Sequence, residues 1–266
     1  MAGATGLTLV KLGGSLITDK TEPLSPRLEA IERLAGEIAR AGLSGRLVLG
    51  HGSGSFGHPT AAAHGIQRGA RTEQQVEAVA ATQIHAHRLH RLVMEALWKA
   101  GGRPFSLPPS AMLTATAGAP GRMGVAPLEL ALALGLTPVT FGDVVMDHAW
   151  GASICSTEEA FEAIVAALAE SGRPVERVLW MGITDGIYDP SGRPIPEITK
   201  ETAPSVLQAL EGAAGEDVTG GIRLRLETAA RLAERGVPSW ILDGLDSGGL
   251  EAALAGQPRG GTRVVR

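Results

Sequence analysis

Two kinds of apolar run alternate along this chain. Short, nearly continuous runs of four to seven residues stand at Leu7–Leu12, Arg46–Leu49, Pro104–Leu107, Thr137–Phe141, Val175–Met181, Pro238–Leu242 and Gly261–Val265. Their length and flanking glycines predict buried strands. Between them apolar residues recur every three or four positions, which predicts amphipathic helices. Leu28, Ile31, Ala35 and Ile38 follow Ser25-Pro26, read as a cap and first-turn proline, and Gly42 and Gly45 end that helix. A long helix from about Thr72 to Ala100 carries Val76, Val79, Leu89, Leu92, Val93 and Leu97, and a short one spans Leu128–Leu134. Ser156 or Thr157, with Glu158 and Glu159, opens a helix bearing Phe161, Ile164, Val165 and Leu168. The last helix follows Asp217-Val-Thr-Gly-Gly221 and bears Arg223 and Arg225. Strand and helix alternate with turns short enough for right-handed crossovers. The predicted fold class is therefore α/β, a three-layer αβα sandwich around a mainly parallel sheet. Without repeat, linker or low-complexity tail, residues 1–266 read as a single domain of two lobes. The early glycine loops fall in one lobe, the late Asp and Gly-Gly turns in the other.

Composition narrows the class. The chain is 44% hydrophobic but only 3% aromatic, so alanine and aliphatic side chains must fill the interior. Its 36 glycines and 16 prolines are spread out, as many tight turns require. A net charge of −4 gives no bulk attraction for nucleic acid, so a small acidic substrate would have to be met by local cations. The single cysteine, Cys155, excludes an internal disulfide and suits a reducing cytoplasm. No apolar run approaches a membrane span and the N-terminus lacks a signal-peptide layout, so the expectation is a soluble, cytoplasmic protein with no membrane partner.

The densest candidate chemistry is Gly50-His-Gly-Ser-Gly-Ser-Phe-Gly-His58, directly after a predicted strand. Gly50, Gly52 and Gly54 permit unusual backbone angles and let a ligand touch the main chain, and peptide N–H groups backed by a helix start form an anion nest. Ser53 and Ser55 add hydroxyls and His58 an imidazole, so the segment reads as a phosphate-binding loop. Gly52-x-Gly54-x-x-Gly57 also satisfies the dinucleotide fingerprint, with Glu73 and Glu77 where a ribose-binding acid would be sought. That match is weak, because an earlier strand with its own Gly-Gly turn comes first. Lys11 is a charge inside an apolar strand, costly unless it reaches a ligand or a carboxylate. Followed by Gly13-Gly14-Ser15, it reads as a phosphate contact, the alternative being a lysine snorkelling off a strand end. Lys20 either folds over the same site or is a solvated loop lysine, and Asp143 either holds substrate or caps a turn. His85, His87 and His90 do not share one helix face and gather no carboxylates, which predicts surface histidines and no metal cluster.

Taken in order, Lys11-Leu-Gly-Gly-Ser15, the Gly50–His58 loop, Gly142-Asp-Val-Val145, Thr184-Asp-Gly-Ile-Tyr-Asp189 and Asp217-Val-Thr-Gly-Gly221 resemble the amino acid kinase superfamily. Lys20 and Ser55-Phe-Gly-His58-Pro59 narrow the resemblance to its isopentenyl phosphate kinase branch. The resemblance implies an amino acid kinase-like fold and ATP-dependent phosphorylation of isopentenyl phosphate to isopentenyl diphosphate, with Mg2+. It implies Lys11, Lys20, His58 and Arg225 as catalytic residues, and Gly52, Gly54, His58 and Thr157 at the acceptor phosphate. On the ATP side it implies Lys11, Gly13, Gly14, Ser15, Ser53, Thr184, Asp185, Gly220, Gly221 and Arg225. The acceptor site would lie in a lobe of about residues 1–170 and the nucleotide site in about 171–266. Relatives are commonly homodimers, and the sequence itself leaves the assembly open.

Several positions depart from the family's usual pattern. Arg225 stands where a lysine is usual, and Ser156-Thr157-Glu158 where Ser-Gly-Asp is usual, so an acid organising the lysines would be one methylene longer. Gly182-Ile183 precedes Thr184-Asp185 in place of the commoner Asp-Val-Asp-Gly form, and Ser53 replaces a common glycine. Two rivals stay open beside the main reading: a kinase for fosfomycin or another small phosphonate or alkyl phosphate, and a non-catalytic nucleotide-binding regulator of the same fold.

Overall fold

The computed structural model describes residues 6–212 and 218–266. Strand β1 (Leu7–Leu12) leads through a one-turn helix α1 (Gly14–Ile17) into a strap formed by β2 (Thr18–Asp19) and β3 (Ser25–Pro26). Then come α2 (Leu28–Ala41), β4 (Leu47–His51), α3 (Gly54–His64) and the long α4 (Glu73–Lys99). They are followed by β5 (Pro104–Ser106), α5 (Pro109–Met112), β6 (Ala115–Thr116), β7 (Ala119–Pro120), α6 (Ala126–Ala133) and β8 (Thr137–Phe141). A hairpin of β9 (Asp143–Asp147) and β10 (Gly151–Cys155) precedes α7 (Thr157–Glu170). The chain continues with β11 (Val175–Gly182), β12 (Ile187–Tyr188), β13 (Pro194–Ile195), β14 (Glu197–Ile198) and α8 (Ala203–Gly212). It closes with α9 (Val218–Glu234), β15 (Ser239–Asp243), α10 (Gly249–Leu254) and β16 (Thr262–Val264).

Eight strands form one sheet in the order β14-β16-β15-β11-β1-β4-β8-β5, parallel except where β15 meets β16. Strand alternation sends Leu9, Val48, Val178 and Trp180 to one face, against α7 and α9. Val10, Leu49, Leu179 and Met181 go to the other, against α2, α4 and α10. Helices thus cover both faces, as the alternating strand and helix pattern predicts. Early strands (β4, β8, β5) lie to one side of β1 and late strands (β11, β15) to the other. Their carboxyl ends open at this switch point, where ligands of open α/β sheets bind.

The sequence expectations need correction in several places. Ser25-Pro26 is strand, not helix cap: both backbone groups of Ser25 bond the Ser55 hydroxyl, and α2 starts at Leu28 without a side-chain cap. Gly54–His64 is helix, so the phosphate loop is shorter than its motif. Val76 is exposed, because α4 turns Ala78, Thr82, Ala86, Leu89 and Val93 inward. The Gly220–Gly221 pair lies within α9, not in a turn, and Asp217 lies outside the described residues. Strand–helix alternation also breaks between Gly142 and Cys155. There β9 and β10 join β6 and β7, from earlier in the chain, in a second, four-stranded sheet. Its tip is gathered by Asp147, whose carboxylate accepts N–H bonds from Ala117 (3.0 Å), Gly118 (2.7 Å), Ala149 (2.8 Å) and Trp150 (2.9 Å). Among the described residues no helix is long and apolar enough to cross a membrane.

Candidate active site

Two glycine turns leave adjacent strands and touch backbone to backbone. A Cβ on Gly14 would lie 2.7 Å from the Gly54 nitrogen, and one on Gly52 2.8 Å from the Gly14 nitrogen, so only glycine allows this approach. Thr18 clamps the pair: its hydroxyl donates to the Gly14 carbonyl (2.8 Å) and accepts from the Ser55 amide (3.0 Å). The amides of Gly14, Ser15, Ser53 and Gly54 have no acceptor among the described residues. Four unpaired donors at two abutting helix starts make a place for anionic oxygens. The Ser55 hydroxyl, in contrast, is committed to Ser25 and tethers the strap instead of offering a ligand contact.

Lys11 lies in the middle of the sheet's switch point and is almost wholly buried. An isolated ammonium there would be prohibitively costly, and it is paired with the buried carboxylate of Glu158. Glu158 is delivered by the start of α7. Ser156 caps that helix, accepting from the Glu159 amide (3.1 Å), while the Glu159 carboxylate takes the Ser156 amide (2.7 Å). Glu159 is therefore spent on the cap and Glu158 faces the cation. Burial, with the nearby Arg225 charge, draws the Lys11 amine below its ordinary range, opposed by Glu158. Burial pushes the Glu158 carboxyl up but is outweighed by Lys11 and Arg225, which hold it low. Arg225 reaches in from α9, and its Nε is buried with no hydrogen-bond partner among the described residues. A Cβ on Gly182 would lie 2.7 Å from one guanidinium nitrogen, so the bare glycine at the end of β11 is what admits this arginine.

Two chambers meet here. A cleft of about 380 Å³ is lined by Lys11, Lys20, Arg27 and Arg225, with Asp19 and Glu158 as the only acids among the described residues. Gly13, Gly14, Ser15, Gly52, Ser53, Gly54, Thr157, Thr184 and Gly221 also line it. The second, of about 440 Å³, has small apolar walls: Pro59, Ala61, Ala62, Ala86 and Ile154, with Thr82. Lys20, Ser53, Gly54, Gly142 and Ile154 belong to both, so the chambers join at the glycine loop. Most residues singled out from the motifs thus converge. The exceptions are informative. Thr157 lines the cleft, but its hydroxyl donates to the His51 carbonyl (2.7 Å). Asp185 sits on an exposed turn beside the Tyr188 hydroxyl and is not among the cleft-lining residues. Asp143 accepts from the Ser110 amide (3.1 Å), a capping role, while also bordering the second chamber. Gly220 lies in the first turn of α9. The His58 imidazole lies outside the described residues; its backbone is in α3.

Sequence reasoning missed Arg27 and Ile154, which no motif marks, and gave no role to Gly142 and Gly182, although both stand within motif segments. It also misjudged His90, which is buried and not on the surface: it bonds His51 (3.1 Å) and Ser106 (2.8 Å) behind the loop. Among the described residues no cluster of three metal-binding side chains occurs. Glu73 and Glu77 stand exposed on α4, away from both chambers, so the dinucleotide fingerprint lacks its ribose acid.

An open α/β sheet with cations and free glycine amides at its switch point defines a phosphoryl-handling protein. The chain belongs to the amino acid kinase family, whose model matches residues 6–243, and this overturns the dinucleotide alternative. It is 32% identical over 270 residues to the isopentenyl phosphate kinase of Methanothermobacter thermautotrophicus, covering 97% of this chain and 99% of that one. It is also 32% identical over 256 residues to the isopentenyl phosphate kinase of Haloferax volcanii, covering 96% and 97%. A structure described as an isopentenyl phosphate kinase superposes with a TM-score of 0.81 at 30% identity, over 97% of this chain and all of the other.

Proposed function

We propose that the chain transfers the γ-phosphoryl group of ATP to isopentenyl phosphate, giving isopentenyl diphosphate and ADP. The observation that carries this reading is the junction of a cationic, amide-lined cleft with a small-walled apolar chamber at one glycine loop. A triphosphate suits the first and a short alkyl tail the second, so the donor and acceptor phosphates would meet at Ser53 and Gly54, which line both. Its oxygen is already largely ionised near neutral pH, with a second pKa of about 6, so the reaction needs no strong general base. The protein's work is alignment and charge neutralisation. Lys11, Arg225 and the Gly14 and Ser15 amides would hold the migrating phosphoryl group; the expected Gly13 amide contact falls away, because that N–H donates to the Met181 carbonyl (2.8 Å). Gly54 and Lys20 would hold the acceptor, with His58 on α3 donating to it; the expected Gly52 amide contact falls away, because that N–H donates to the Leu12 carbonyl (2.9 Å). Thr184 and Gly221 would line the nucleotide side. Magnesium prefers phosphate oxygens and water to a protein cage, so it would enter with ATP and supply further neutralisation of the phosphate charge. The chain would act as one domain, its acceptor lobe near residues 1–170 and its nucleotide lobe near 171–266.

The test is ADP release with isopentenyl phosphate, dimethylallyl phosphate and fosfomycin in parallel. Isopentenyl phosphate should give the highest kcat/KM. A preference for fosfomycin would reassign the acceptor to a phosphonate, and no acceleration by any of the three would leave a nucleotide-binding regulator.

A further inference from the structure

We infer that His51, backed by His90 and Ser106, is a positioning residue that aims the Ser53 amide at the phosphoryl group in transfer. This rests on the reading that the loop handles that group. His51 closes β4 and is fully buried, directly before the glycine turn. Its Nδ1 lies 3.1 Å from the Gly52 carbonyl and its Nε2 3.1 Å from His90 Nδ1, while His90 Nε2 lies 2.8 Å from the Ser106 hydroxyl. The chain of bonds has one consistent set of protons. A carbonyl only accepts, so His51 Nδ1 carries the hydrogen; its Nε2 then accepts from His90 Nδ1–H, and His90 Nε2 accepts from Ser106. The two rings stack on Phe141, with centroids 5.5 Å and 4.2 Å away, which fixes their planes. Burial keeps both neutral, drawing His51 to about 4 and His90 to about 2.

The consequence lies on the other side of one peptide. The Gly52 carbonyl and the Ser53 N–H belong to the same trans unit and point in opposite directions. Anchoring the carbonyl to His51 therefore turns the Ser53 N–H away from the ring. Ser53 lines both chambers, and its nitrogen lies 3.7 Å from where a Cβ would stand on Gly142, another residue shared by both. The Ser53 amide has no acceptor among the described residues. A donor held in place before the reaction is worth most where charge develops in the transition state.

Substituting by the two amides separates this role from simple packing, because asparagine places its NH2 near the Nδ1 position and glutamine near Nε2. His51→Asn should keep kcat within about threefold of the parent. His51→Gln should lose about 10- to 100-fold in kcat, near the lower end of what losing an aimed donor costs, with the KM for ATP changed less than about threefold and equal melting midpoints for the two variants. Equal losses in both, or no loss in either, would overturn the inference and leave the ring a space-filler. If the His51 variants do not fold, His90→Asn and His90→Gln carry the same comparison one bond back. Calorimetric affinities for ADP and β,γ-imido-ATP give a readout independent of the acceptor. His51→Gln should erase much of the preference for the imido analogue, and an unchanged ratio would overturn the inference even if isopentenyl phosphate proved not to be the acceptor.

Discussion

Gly182→Ala probes how finely the Arg225 cation is set. The added Cβ would stand 2.7 Å from a guanidinium nitrogen, and ordinary contact begins at 3.4 Å, so the group must withdraw by about 0.7 Å. The obstructed atom is the far end of a flexible side chain, and Gly182 has no positive φ, so folding should be barely affected. Removing a glycine also reduces the freedom of the unfolded chain, which favours the folded state by about 0.4–1 kcal/mol where the geometry tolerates it. Catalysis has no such slack, since a misplacement near 1 Å can cost about 100-fold. Gly182→Ala should therefore lower kcat about 10- to 100-fold while the melting midpoint stays level or rises. Arg225→Lys alone should keep substantial activity, because lysine preserves the charge but not the bidentate grip. Combined with Gly182→Ala, it should cost less than it does alone, as a cycle between touching residues requires. The assay is steady-state ADP release for the four proteins, with thermal melting alongside. Full activity in Gly182→Ala, or strictly additive effects in the double variant, would refute the reasoning.

Glu158→Gln leaves the buried Lys11 ammonium without its counter-charge and should destabilise the fold by about 3–5 kcal/mol; urea unfolding should show it, with partial recovery in saturating ATP. His58→Ala should remove most turnover with isopentenyl phosphate while calorimetry shows ATP binding nearly unchanged. The neutral His51 ring titrates at about 4 where a free histidine titrates at 6.5. Because its folded pKa is lowered, the unfolded chain takes up the proton first, and roughly 3 kcal/mol of stability present above pH 6.5 is lost as pH falls towards 4. Urea midpoints across that range should fall for the parent and stay flatter for His51→Asn. The backbone N–H bonds around Asp147 hold its carboxyl below the usual carboxylate range, overcoming the opposing effect of burial. Asp147→Asn should melt at a lower temperature at pH 7, and the gap should narrow as pH drops below about 4, where the parent carboxylate loses its advantage.

The main sheet could be read from the chain because its strands are buried on both faces and announce themselves as continuous apolar runs. The second sheet could not. Val144, Val145 and Ile154 give too short a pattern, and what shapes the hairpin is the Asp147 carboxylate binding four amides, two of them from the distant β6–β7 turn. The same division holds in the site. Lys11 declared itself as a charge inside an apolar strand, and the glycine motifs marked backbone that a ligand could touch. Gly182 carries no such signal, since its role is the space it leaves for a side chain 43 positions later. His90 was misjudged for a related reason: helical spacing tells which residues share a face, not what another element brings against it. That neighbour, His51, comes from β4.

The central claim is that one glycine loop joins a triphosphate cleft to an alkyl phosphate chamber. Phosphorus-31 NMR of the purified protein with MgATP and isopentenyl phosphate tests it most directly. The account predicts that the isopentenyl phosphate singlet is consumed as two coupled diphosphate resonances and ADP appear in equal amounts. ATP consumed to ADP and free inorganic phosphate, with the monoester resonance unchanged, would contradict it.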